Sequence, residues 1–160
     1  MSVRACFAFL LCSFLGCCTA FAADPYPFSF DTVKVGKGIY AFTEPTGKAI
    51  VSGNTLVVIG EDAVLVVDTG HHPELSRRMT EEIRKLTPKP VKYIVNTHWH
   101  NDHVSGNAIF AEAFPQARFI AQAFTAEALD SPSTIASRRA WAAAWSISCG
   151  WAVRTPRATR

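Results

Sequence analysis

Short apolar runs separated by turn residues open the readable part of the chain, and further along they give way to a helical period. Positions 30–35 and 39–42 are β-prone, with Gly36-Lys37-Gly38 between them, and Glu44-Pro45-Thr46-Gly47 reads as a turn. Two more strands are expected at 54–59 and 63–67, joined through Gly60-Glu61-Asp62. The second is apolar almost without interruption, as in a strand covered on both faces, and it stops at Asp68-Thr69-Gly70. Pro73 then suits the first turn of a helix, where its missing N–H costs nothing. Leu75, Met79, Ile83 and Leu86 recur at spacings of four, four and three, one apolar face, until Pro88 and Pro90 end the helix. A strand at 91–95, a helix at 107–114, a strand at 118–121 and helical residues up to Asp130 complete the pattern. Strands alternating with helices predict an α/β layered fold, and no solenoid repeat is evident.

Candidate chemistry is concentrated where the 91–95 strand ends, in Thr97-His98-Trp99-His100-Asn101-Asp102-His103. In an extended segment His98 and His100 point the same way, because strand side chains alternate. Asp102 and His103 follow as the backbone turns and can face a second point nearby. Neutral imidazoles and a carboxylate are the donors that zinc and similar divalent ions prefer. Elsewhere the bland reading holds. His71 and His72 read as solvated loop residues, and Arg77-Arg78 and Glu81-Glu82 as the wet face of the helix. Trp99 is placed to brace the loop or line a cleft, and Cys149 reads as incidental.

His98-x-His100-x-Asp102-His103 resembles the defining motif of the metallo-β-lactamase superfamily. The approach to it is similar too, from the hairpin and Asp68-Thr69-Gly70 through the amphipathic helix to the strand entering Thr97, as are Gly106-Asn107 and the helix-Pro115-strand beyond. The likeness covers about residues 30–128. It implies the N-terminal half of an αβ/βα sandwich. It also implies two Zn²⁺ ions in an intact domain, one on His98 and His100 and the other on Asp102 and His103. Asp102 is then the candidate catalytic residue as well as a ligand, and Asp68 supports the metal loop by hydrogen bonding. The implied activity is hydrolysis of an ester, lactam, lactone or thioester of a small molecule; an iron-dependent redox member is the alternative. The family also takes a further His, a bridging Asp or Cys and a last His from its second half. After His103 this sequence has no histidine, and its only later acids are Glu112, Glu127 and Asp130. A truncated, inactive fragment is therefore a second expectation, with weak metal binding and a missing second layer.

Charge and composition change the picture at the two ends. Residues 23–130 hold ten Lys plus Arg against thirteen Asp plus Glu, so the body is mildly acidic and has no nucleic-acid footprint. Residues 5–23 are uncharged, and Ala20-Phe21-Ala22 has the small-x-small form of a signal-peptidase site. A signal peptide at 1–22 is expected, with export to the periplasm or medium; an uncleaved membrane anchor and a lipid on Cys17 are the alternatives. Four of the five cysteines lie in that segment, which leaves no disulfide framework. Residues 131–160 carry five arginines, no acid and three of the four tryptophans, with no convincing strand or capped helix. A native basic tail and a shifted reading frame both fit that composition, and the shifted frame fits it better. The expected organisation is thus a leader at 1–22, an incomplete domain at 23–130 and an atypical tail.

Overall fold

A computed structural model describes residues 29–45, 53–130, 146–148 and 150–154. The expected leader and its cysteines, Cys149 and most of the tail lie outside the described residues.

Alternating side chains and tight turns build the first four strands. β1 (Asp31–Gly36) and β2 (Ile39–Thr43) form a hairpin whose turn holds Gly38 at φ +70°, and a Cβ there would lie 2.7 Å from the Ile59 carbonyl oxygen. β3 (Thr55–Ile59) pairs antiparallel with β2, and β4 (Val64–Val67) antiparallel with β3. The chain then crosses over twice. α1 (Pro73–Leu86) connects β4 to the parallel β5 (Val91–Asn96). α2 (Asn101–Val104) and α3 (Asn107–Ala113) connect β5 to the parallel β6 (Arg118–Gln122), and α4 (Ala123–Asp130) follows.

α1 begins and ends as its sequence predicts. His72 caps it by accepting the Glu74 N–H on Nδ1, Pro73 fills the first turn, and Thr87 closes it on the Ile83 carbonyl. Leu75, Met79 and Ile83 are buried. They meet Val64, Val66, Ile94, Phe110 and Phe119 in the main core. Ala121, Ala126 and Ala152 form a smaller cluster beside it.

The structure departs from the sequence expectation at three places. α2 replaces a turning loop; one four-residue turn is too short to leave a periodic signature. The tail contributes β7 (Ser146–Ser148) and β8 (Trp151–Arg154), with Gly150 at φ +76° before β8. β8 pairs antiparallel with β6, giving an eight-stranded sheet in the order β1-β2-β3-β4-β5-β6-β8-β7. This strand was hidden by its arginine: Arg154 is buried and its guanidinium donates to Asp130 of α4. The third departure is β4, whose Val64 and Val66 are buried while Leu65 and Val67 are only half-buried.

That partial cover extends across the sheet. Register places Val33, Ala41, Leu56, Val67, Val95, Ile120 and Val153 in one row, on the side opposite the buried core. Among these Val33 is 42% exposed, and Tyr93 on the same side is also exposed. The described helices pack against the other face.

Phe110 ties α3 to the sheet with no exposed surface, so Phe110→Ala should cost about 3–5 kcal/mol in urea unfolding. A loss under about 1 kcal/mol would mean that α3 does not depend on this contact.

Candidate functional site

The carboxyl ends of β4 and β5 lie side by side in register, Val67 opposite Val95. Both strands therefore release their following loops at the same edge, one carrying Asp68 and the other His98 to His103. Asp68 itself donates its N–H to the Val95 carbonyl, then turns into the left-handed region at φ 61°. Aspartate tolerates that conformation better than most residues.

The side chain of Asp68, a residue only 3% exposed, collects three donors. Oδ1 accepts the Thr97 N–H at 2.8 Å, and Oδ2 accepts the Thr97 hydroxyl at 2.8 Å. Oδ2 also lies 2.8 Å from His103 Nδ1. A carboxylate can only accept, so His103 carries a proton on Nδ1, which turns its Nε2 toward Asp102. The same reasoning extends one residue further. The Thr97 hydroxyl has a single hydrogen, already given to Asp68, so it accepts from His98 Nδ1 at 3.0 Å. That leaves the His98 lone pair on Nε2. One buried carboxylate thus holds the Nδ1 side of two imidazoles, directly at His103 and through Thr97 at His98, the support that metal-binding histidines ordinarily have.

The donors crowd together. The His98 ring centroid is 4.0 Å from that of His103 and 4.7 Å from that of His100. Asp102 Oδ2 lies 3.1 Å from His103 Nε2, a gap that two ligands of one zinc at about 2.0–2.2 Å would span. The donors present therefore fit zinc in kind, and the Asp102–His103 pair fits it in spacing. They do not form a closed set, because among the described residues no group of three or more His, Cys, Asp or Glu side chains converges as a metal site. The three rings lie side by side, with Asp102 next to His103.

Burial, reinforced by the neighbouring His103 and His100 imidazoles, holds His98 below its ordinary value of 6.5, against the opposing pull of Asp68 and Asp102. His71 is exposed, and His72 serves as the α1 cap rather than as a donor at the site. Trp99, 39% exposed, sets its ring edge-on to His100 at 4.7 Å. A groove of about 310 Å³ between α1 and α3 contains none of the donors.

Several residues that shape this edge carry no chemical signal of their own. Gly53 lies so close that a Cβ on it would be 2.5 Å from the Asp102 carbonyl oxygen and 3.0 Å from His103 Cε1. At Gly106 a Cβ would fall 2.1 Å from the Thr69 carbonyl oxygen and 2.2 Å from Ser76 Oγ. A glycine next to a turn was the available hint at both. Thr69, Asn96 and Asn107 form a buried polar group beneath the loop.

With this geometry the class of protein is defined: the chain belongs to the Metallo-beta-lactamase superfamily, whose profile it matches over residues 50–143. Among solved structures it is similar to a metallo-β-lactamase from Pontibacter korlensis, with 20% identity and a TM-score of 0.57 over 76% of this chain and 57% of that one. It is also similar to the FIM-1 metallo-β-lactamase of Pseudomonas aeruginosa in its mono-zinc form. That match has 22% identity and a TM-score of 0.55, covering 66% of this chain and 47% of the other. A linear primary-alkylsulfatase from a Pseudomonas species is 43% identical over 49 residues, 31% of this chain and 9% of the sulfatase. The chain thus spans about half the length of the structures it resembles and a small part of the sulfatase.

Asp68→Ala would leave three donors without their acceptor. It should cost about 3 kcal/mol in urea unfolding of the metal-free protein and about 10–100-fold in zinc affinity; an unchanged affinity would contradict the supporting role. The lowered His98 value also has a defined sign. The folded protein binds fewer protons here than the unfolded chain, so this contribution to stability is complete above pH 6.5 and declines as pH falls through the folded value. NMR titration of the metal-free protein should place the His98 midpoint below 6.5. A midpoint at or above that value would contradict the burial argument.

Proposed function

We propose that this edge is the metal site of a zinc-dependent hydrolase that cleaves an ester, lactam, lactone or thioester type bond in a small molecule. The observation that carries the reading is the cluster of His98, His100 and His103 beside Asp102, with Asp68 directing the Nε2 atoms of His98 and His103 outward. His98 and His100 are assigned to one ion, and Asp102 and His103 to a second. Zinc, when bound, supplies a Lewis acid that acidifies water and polarises the oxygen of the scissile group. Around it the chain orients both imidazoles through Asp68 and Thr97. Asp102 is assigned the further task of orienting the attacking water and taking its proton. Trp99 offers an apolar wall next to His100 for the uncharged part of a substrate.

Among the bond types, the stretch shared with the alkylsulfatase makes a linear alkyl sulfate the first substrate to try. The uncharged segment at 5–23 supports action outside the cytoplasm. A second reading, inactivity of this chain on its own, is favoured by the absence of a converging third donor among the described residues. A catalytic zinc ordinarily has three protein ligands.

The full chain, loaded with saturating zinc, should hydrolyse at least one of a linear alkyl sulfate, a lactam, a lactone and a thioester. His100→Ala should lower that turnover by about 100-fold or more. A folded, zinc-loaded chain without turnover on any of them would favour the inactive reading.

A further inference from the structure

All four candidate ligands ride on the segment between Asn96, the last residue of β5, and Asn107, the first of α3. Those two side chains face each other at its base. Asn107 Nδ2 donates to Asn96 Oδ1 at 2.9 Å, and Asn96 Nδ2 donates back to Asn107 Oδ1 at 3.0 Å. Both residues are 1% exposed. A third group joins them from the loop after β4. The Thr69 hydroxyl donates to Asn107 Oδ1 at 2.9 Å, while the Thr69 N–H donates to the His103 carbonyl at 2.8 Å. Thr69 is held in its turn by Ser76 of α1, whose hydroxyl donates to the Thr69 carbonyl at 2.7 Å.

We propose that the reciprocal Asn96–Asn107 amide pair, with Thr69, is a clasp that closes the donor loop at its base and so positions His98, Asp102 and His103 for metal. The proposal rests on the zinc-site reading above. Its physical basis is preorganisation. A flexible loop must lose conformational freedom before several of its side chains can share one ion, and a clasp at the base removes much of that cost in advance. A pair of facing primary amides suits the task, since each offers both a donor and an acceptor in one plane. Asn96, Asn107 and Thr69 are positioning residues; none is among the assigned ligands.

A merely structural role, satisfying buried polar atoms, makes a different prediction. Replacing both partners of a buried hydrogen bond by apolar groups of similar shape can be nearly neutral for stability. The discriminating variant of the full chain is therefore the double substitution Asn96→Leu with Asn107→Leu, compared with the parent by amide hydrogen exchange without metal and by zinc affinity against a competing chelator. The clasp predicts at least tenfold faster exchange at the N–H groups of Thr69, Thr97 and His103, with Val66 and Ile94 unchanged. It also predicts zinc affinity 10–100-fold lower. Unchanged exchange at those three groups would overturn the proposal, as would faster exchange with parent-like zinc affinity. If the parent itself takes up no zinc, the zinc-site reading fails, and the exchange data decide the clasp alone. Should the double variant not fold, Thr69→Val gives the same readouts with a smaller expected effect. Thr69→Ser, which restores the hydroxyl, should return both to parent values; failure of that rescue would overturn the role of the Thr69 hydroxyl.

Discussion

A single buried carboxylate organises this edge of the molecule. Asp68 cannot be accommodated beneath the sheet's rim unless its charge is matched by donors, because an ion removed from water costs several kcal/mol when left unpaired. The structure supplies the Thr97 N–H, the Thr97 hydroxyl and the His103 ring. Each of those donors belongs to the β5 loop, so satisfying one charge fixes where that loop lies and how two of its imidazoles are turned. The left-handed turn at Asp68 and the parallel register of β4 with β5 are the backbone conditions for this arrangement.

Much of the architecture could be read from the sequence because it is local. α1 declares itself through Pro73, the Leu75–Met79–Ile83 stripe and the prolines beyond, and burial of that stripe follows. The parallel strands β4 and β5 appear as compact apolar runs. The donor motif is dense enough to stand out without any knowledge of the fold, and the supporting place of Asp68 followed from resemblance. Membership in the Metallo-beta-lactamase superfamily agrees with that resemblance.

What the sequence hid is long-range and built from common residues. Thr69, Ser76, Asn96 and Asn107 are ordinary polar residues in any composition, and they matter here because chain segments far apart bring them together. Gly53 and Gly106 are informative only once a neighbouring backbone is seen to occupy the space of their missing Cβ atoms. β8 failed to register as a strand for a related reason. Arg154 reads as a solvated residue until Asp130 is found beside it.

The order of strands has a consequence for how the site comes into being. From β1 to β6 every strand pairs with its neighbour in the chain, so each addition to the sheet closes only a modest length of polypeptide. Pairing between chain neighbours keeps the loop closed at each step short, which limits the loop entropy lost before that pairing is rewarded. The donor loop requires β4, β5 and the helices beside them, all synthesised before β8. The hydrogen bonds that hold that loop involve no residue of β8, so its shape can be established while the later strand is still unmade.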